Sequence, residues 1–256
     1  TDLNQGEDFG LVYFSADARL LATTTMTKSL LAVWDVSSGR KLYELKFENN
    51  DLQVLALSPD GRTLAINNES DSGGVVRDVL TLLDATSGRA IQTIKISEQK
   101  RTMTMGPYSE PHRAIRFSPD GRAVAVVFND ERRDASQLLS GGQIRNSDRT
   151  NKIRTWDISS GRETISLDFG SQSAGTYDPS LYPEMRDGFA FSNDNRQCAV
   201  ASGAMTKLFD PATGRILATV IGHAGDVLGV SFSADGKLLA TTGLDSTIKI
   251  WDVSIA

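Results

Sequence analysis

One turn signal recurs five times along this chain of 256 residues, each time at the end of a short apolar segment. Every copy has Ser followed two positions later by Asp, and the copies begin at Phe14, Leu57, Phe117, Phe191 and Phe232. In such a turn Asp caps the local backbone, and a Gly after it takes the positive φ that closes a hairpin. Ala18 and Asn195 stand in place of that Gly. Because Ala adopts positive φ poorly, the first turn is predicted to differ from the others.

A second column repeats in step with these turns: a large residue followed by Asp, at the end of another apolar segment. Its five members, which include all three tryptophans, are Trp34, Leu83, Trp156, Phe209 and Trp251. Ser-Gly-Arg or Thr-Gly-Arg follows four of them and marks a second hairpin. With a core period of about 42 residues, this predicts an all-β propeller of four-stranded antiparallel blades, five in number. The blades are expected at approximately 9–47, 51–96, 113–169, 187–221 and 226–256.

The last unit is similar to a WD repeat, because it combines Gly222-His223 with Asp245-Ser246-Thr247 and Trp251-Asp252. Its strands are expected at Val227–Phe232, Leu238–Thr242 and Thr247–Val253. The other four units are degenerate: none has the Gly-His pair, and two lack the Trp. The whole chain therefore resembles the WD-repeat (WD40) β-propeller family with bacterial-type repeats, although some units also resemble the YVTN-type propeller repeat.

The resemblance implies a buried hydrogen-bond network in the last unit. It would run from His223 through Thr241, or alternatively Thr242, and Asp245 to Trp251. A buried network whose polar groups are all paired stabilises a blade, so a structural role is expected for these residues and not a catalytic one.

Motifs that carry chemistry are absent from the sequence. The two histidines and the single cysteine, Cys198, are too far apart for a recognisable metal site, and no calcium loop, phosphate loop or nucleophile elbow occurs. We therefore predict no catalytic residue, metal or cofactor. The alternative is an enzymatic or cofactor-binding propeller of the lactonase, peptidase-propeller or quinoprotein kind, which would gather ligands or charged groups at the central channel.

Charge, hydropathy and cysteine count indicate which partners and which cellular compartment to expect. A net charge of -5 argues against a nucleic-acid surface, and no segment approaches the roughly 18 apolar residues of a membrane helix. A lone cysteine forms no internal disulfide, so a reducing, cytoplasmic compartment is expected.

Length variation indicates where a protein or peptide partner would bind. In a four-stranded antiparallel meander, the first and third turns lie at one end, and the other connections lie at the opposite end. All long connections belong to the second class: Asn68–Arg77, Ser97–His112, Asn129–Asn151 and Gly170–Asp187. They carry residue types that are enriched in interface cores. The candidate partner-binding residues, on a face around blade three, are Met103, Met105, Tyr108, Arg132, Arg133, Arg145, Arg149, Tyr177, Tyr182 and Met185.

The ends of the sequence suggest a partial set of blades. The fifth unit stops after its third expected strand, and Thr1–Asp8 is too polar to make a good fourth strand. Additional blades or fused domains in a longer chain are therefore expected. Unpaired sheet edges should favour association of the isolated fragment.

Overall fold

The computed structural model describes residues 9–25, 30–47, 52–72, 75–100, 114–131, 149–172 and 188–254. Every regular element in these ranges is a β-strand. The described residues contain no helix with the length and hydrophobicity needed to cross a membrane. The chain divides into two compact units, Thr1–Gly106 and Pro107–Ala256. The sheets are numbered one to five along the chain.

The first unit contains two four-stranded antiparallel sheets in sequential order. Sheet one consists of β1 (Phe9–Phe14), β2 (Leu20–Thr25), β3 (Leu30–Asp35) and β4 (Arg40–Lys46). Sheet two consists of β5 (Leu52–Leu57), β6 (Thr63–Ser72), β7 (Val75–Asp84) and β8 (Ala90–Lys100). An apolar core joins the two sheets, and in it Leu31 and Val33 of sheet one and Leu55 and Leu64 of sheet two are buried.

The second unit contains sheets three, four and five. Sheet three consists of β9 (Ala114–Phe117), β10 (Ala123–Glu131), β11 (Arg149–Asp157) and β12 (Glu163–Gln172). Sheet four consists of β13 (Phe189–Phe191), β14 (Cys198–Ser202), β15 (Met205–Phe209) and β16 (Ile216–Ile221). Sheet five has three strands among the described residues, β17 (Val227–Phe232), β18 (Leu238–Gly243) and β19 (Ile248–Asp252).

Apolar contacts join neighbouring sheets of the second unit face to face. Ala125 and Ile153 of sheet three share a core with Cys198 and Val200 of sheet four. A second core joins sheets four and five, and it includes Leu208, Val230 and Leu239. Alternation along each strand explains this arrangement, since residues two apart lie on the same face of a sheet. The chain is therefore an all-β propeller fold of antiparallel sheets, as the repeats predict.

The turn between the first and second strands has one geometry in all five sheets. The Ser Oγ donates to the Asp carboxylate at 2.5–2.7 Å, and a backbone N–H donates to the same oxygen at 3.0–3.1 Å. The prediction that the first turn would differ is wrong. Ala18 has a φ of 55°, close to the 69° of Gly61 at the same position. The hydrogen bonds of the turn outweigh the cost of about 1–2 kcal/mol that positive φ imposes on Ala.

The four long connections were predicted too long, because part of each is strand. Between β6 and β7 only residues 73–74 intervene, and the pairing continues to Ser72 opposite Val75. In sheet three, β10 and β11 pair as far as Glu131 opposite Arg149. The predicted loops that are thus shortened are Asn68–Arg77, Ser97–His112, Asn129–Asn151 and Gly170–Asp187. Apart from Val75 and Val76, the paired residues of these segments are polar or Gly, so no apolar alternation marks them, yet the backbone ladder forms.

Candidate protein-binding surface

The short-turn end of each sheet is fixed by hydrogen bonds to an Asp carboxylate. In the turn after β3, Asp35 accepts from the hydroxyls of Ser37 and Ser38, each at 2.7 Å. These bonds lower the pKa of Asp35 to about 2. Asp84 and Asp157 occupy equivalent turns, and hydroxyl hydrogen bonds lower the pKa of each to about 2 as well. This end is therefore uniform from sheet to sheet.

The opposite end is not uniform, because strands of sheets two and three are lengthened there. In sheet three, β9 pairs only with Val124–Val127 of β10. The other three strands, β10, β11 and β12, continue past the end of β9. Arg149 of β11 is paired with Glu131 of β10 and with Gln172 of β12. Sheet three thus ends in a three-stranded ribbon that extends beyond its first strand. Sheet two is lengthened in the same way, and its third and fourth strands pair as far as Val75 opposite Lys100.

One of the predicted partner-binding residues, Arg149, has a described backbone, and it begins β11 at the tip of this ribbon. The other nine lie outside the described residues: Met103, Met105, Tyr108, Arg132, Arg133, Arg145, Tyr177, Tyr182 and Met185. The segment from 132 to 148, which holds three of the four predicted arginines, connects the paired residues Glu131 and Arg149.

The structure brings the four network residues of the last unit into direct contact. His223 Nε2 lies 2.7 Å from Thr241 Oγ1, and the indole N–H of Trp251 donates to the same oxygen at 2.9 Å. His223 Nδ1 lies 2.9 and 3.0 Å from the two carboxylate oxygens of Asp245. The hydroxyl in the network is therefore that of Thr241 and not of Thr242.

Hydrogen bonds to Asp245 anchor the network to the loop before β17. The backbone N–H of Ala224 donates to the carboxylate at 2.9 Å, and this bond and the one from His223 hold the pKa of Asp245 well below its usual range. A Cβ on Gly243 would lie 2.5 Å from His223 Nδ1, so the ring needs Gly at this position. Since both ring nitrogens are engaged and His223 is only 7% exposed, the ring offers no free nitrogen to a substrate.

A related contact in sheet one was missed at the level of sequence. The indole N–H of Trp34 donates to Thr23 Oγ1 at 3.0 Å, as that of Trp251 does to Thr241. The signal was available, because Leu20–Thr24 and Leu238–Thr242 have the same sequence, Leu-Leu-Ala-Thr-Thr.

Among the described residues, no group of three His, Cys, Asp or Glu side chains could hold a metal ion.

Comparison with known proteins relates the chain to WD-repeat proteins. Residues 214–252 match the family model described as WD domain, G-beta repeat. The chain is 28% identical over 179 residues to cell division cycle 20.1, cofactor of APC complex, of Arabidopsis thaliana, covering 68% of this chain and 30% of that protein. It is 25% identical over 253 residues to the guanine nucleotide-binding protein subunit beta of Saccharomyces cerevisiae, covering 94% and 55%. The chain thus spans between about a third and about half of these relatives.

Solved structures agree on the fold. The chain matches a chain of Kuenenia stuttgartiensis hydrazine synthase with a TM-score of 0.63 at 14% identity, covering 96% of this chain and 71% of that one. It matches the Myceliophteria thermophila Cps50 (Swd1) beta-propeller domain with a TM-score of 0.60 at 13% identity, covering 99% and 67%. At these identities the likeness concerns the β-propeller fold alone.

Proposed function

Because this chain belongs to the WD40-repeat β-propeller family, we propose that it is a non-catalytic scaffold that binds a protein or peptide partner. The names of its relatives support this, since one is a cofactor of a complex and another is a subunit of a guanine nucleotide-binding protein. A third, 38% identical over 64 residues that cover 24% of this chain and 21% of that protein, is the target of rapamycin complex subunit LST8 of Saccharomyces cerevisiae.

We place the binding face at the end of the sheets that carries the lengthened strands of blade three. The observation that carries this placement is the three-stranded ribbon of β10, β11 and β12, which extends past β9. The pairing of Glu131 with Arg149 brings the two ends of the segment from 132 to 148 together at this end of sheet three. Arg132, Arg133 and Arg145 lie in the segment that connects the paired residues Glu131 and Arg149, and Arg is enriched in interface hot spots.

Affinity capture from native extract with matched arginine variants tests this placement. The test variant is R132S/R133S/R145S, and the control is R40S/R162S/R215S, which removes the same charge from exposed arginines of the short-turn end. Quantitative mass spectrometry should show that the test variant retains less than about a tenth of the partner that the control retains, which corresponds to about 1.4 kcal/mol.

Thermal melts of both variants establish that neither change unfolds the chain. If the two variants capture the partner equally well, or lose it equally, the binding face lies elsewhere. Capture of the same partner by both would leave the scaffold proposal intact and refute only its position. If neither variant nor the wild-type chain captures any protein, the scaffold proposal itself fails.

A further inference from the structure

The fourth strand of sheet four, β16, lies at the edge of its sheet. Among the strands that the structure describes, it pairs with β15 alone, so the backbone N–H and C=O groups along its other side have no partner strand there. Sheet four packs against sheet three through one apolar core and against sheet five through another. It is therefore an interior sheet of the second compact unit, with a neighbouring sheet on each face.

β16 carries exposed isoleucines along this edge. Ile216 is paired with Phe209, and Ile221 is paired with Met205, four residues earlier in β15. Residues an even number apart in a strand share a face, and so do paired residues, so the two isoleucines lie on the same face. Ile216 is 49% exposed and Ile221 is 70% exposed. Val220, on the opposite face, packs against the core that joins sheets four and five.

The other three fourth strands carry charges at these positions. The position of Ile221 is paired with the third-strand residue four places before the large residue of the repeat, and in sheets one, two and three it is Lys46, Lys95 and Asp168. The position of Ile216 is charged in sheets one and three, where it is Lys41 and Glu163. Charged side chains on an edge strand oppose its pairing with a further strand. β16 carries no charge from Ile216 to Ile221, so its edge is open to pairing.

The absence of charge also indicates what can pair with β16. An added strand must have a free edge of its own and no charge at the contact, because a charge would lose water there without gaining an opposite charge. β16 of a second copy meets both conditions, whereas β4, β8 and β12 carry charges. The first strands fit less well, since β1 contacts β5 and β13 contacts β17, which leaves less room for an added strand.

We propose that β16 pairs with β16 of a second copy in antiparallel orientation, so that one sheet runs through both copies. The contact is isologous, because each copy contributes the same strand, and it closes at a dimer. An alignment centred near Thr219 brings Ile221 of each copy close to Ile216 of the other and removes apolar surface from water. Backbone hydrogen bonds between the two edges supply the rest of the contact. This surface is separate from the ribbon of blade three, so the inference does not rest on the proposed partner-binding face.

Sedimentation velocity over a concentration series tests the proposal with the variant I216K/I221K. The variant gives β16 the lysines that β4 carries at the same positions, Lys41 and Lys46, so the sheet should still form. The wild-type chain should reach about twice the 27.7 kDa of a single chain and form no larger species. The variant should dimerise at least about tenfold more weakly, because pairing would bury its lysines at the contact.

The matched control is A90K/T93K, which places the same two charges on exposed residues of β8. It should dimerise like the wild-type chain, because β8 lies outside the contact. Equal dimerisation by I216K/I221K and the control overturns the proposal. A wild-type chain that stays monomeric at every concentration, or that grows beyond a dimer, has the same consequence. Circular dichroism verifies that both variants are folded.

Crosslinking locates the contact without a change of charge. A short bis-maleimide should join two T219C chains into a dimer, because antiparallel pairing places position 219 of both copies near the twofold axis. T93C is the control, since Thr93 occupies the same position in β8 and should give no dimer. Cys198 is fully buried, and burial raises the pKa of its thiol, so it does not compete for the reagent. If T219C crosslinks no more than T93C does, β16 does not pair with its own copy and the proposal is wrong.

Discussion

Removal of the hydroxyl from Thr241 should cost about two to three times as much free energy of unfolding as removal of the hydroxyl from Thr23. Both side chains are buried, at 1% and 3% exposure, and Val has nearly the same shape as Thr, so neither change leaves a large cavity. Thr23→Val removes one hydrogen bond, from Trp34 at 3.0 Å, and should cost about 1 kcal/mol. Thr241→Val removes bonds at 2.9 and 2.7 Å and should cost about 2–3 kcal/mol, because Trp251 and His223 both lose a partner.

Hydrogen exchange read by mass spectrometry measures these costs sheet by sheet, which matters because the two changes lie in different compact units. Peptides from β2 and β3 report on Thr23→Val, and peptides from β18 and β19 report on Thr241→Val. Thr242→Val is the control, since Thr242 is exposed and its change should stay within about 0.5 kcal/mol. Equal costs at Thr23 and Thr241 would show that the His223 contact contributes nothing to the stability of the last sheet.

Three further changes probe the turns and the close contacts of the repeat. Ala18→Gly should raise the free energy of unfolding by about 0.5–1 kcal/mol in urea denaturation, because relief of positive φ exceeds the added freedom of the unfolded chain. Asp157→Asn should make the free energy of unfolding fall less steeply between about pH 4 and pH 2. The pKa of Asp157 is about 2 in the folded state and 3.8 in the unfolded state, so its contribution is fully present above pH 3.8 and is lost as the pH falls to about 2. Thermal melts above about pH 5 should show the same pH dependence as the wild-type chain. Gly243→Ala should cost about 1–3 kcal/mol in a thermal melt, since its Cβ would lie 2.5 Å from His223 Nδ1.

Strands flanked by turn signals on both sides could be predicted closely from the sequence. In sheet five the strand at Val227–Phe232 is confirmed. The next strand is one residue longer than the predicted Leu238–Thr242, and the last is one residue shorter at each end than the predicted Thr247–Val253. Here apolar alternation, the Ser-x-Asp turn and the Trp column all indicate the same boundaries. A strand boundary can be predicted from the sequence when several local signals agree on it.

Strand ends that depend on a partner strand could not be predicted. The residues from Asn68 to Ser72 are polar and resemble a loop, but each is paired with a residue of β7. The information lies in the register between two strands, and a single segment does not contain it. The turn at Ala18 was predicted, but the expectation that its geometry would differ was wrong, since residue preference is weak beside three side-chain hydrogen bonds of the turn.

Degenerate repeats form the same sheet because a hydrogen-bonded pair of polar side chains can be replaced by a packed pair of apolar side chains when both members change together. The second-strand position of Thr23 and Thr241, whose hydroxyls accept from the Trp of the same sheet, is apolar in sheets two and four, where it is Ile66 and Val200. In these two sheets the Trp is replaced as well, by Leu83 and Phe209. Ile66 and Val200 are at most 4% exposed, so packing takes the place of the hydrogen bond. Loss of both partners to apolar groups is close to neutral, whereas loss of one leaves a buried polar group unpaired. A unit without the Gly-His pair is therefore a complete blade, while the last unit depends on each member of its network.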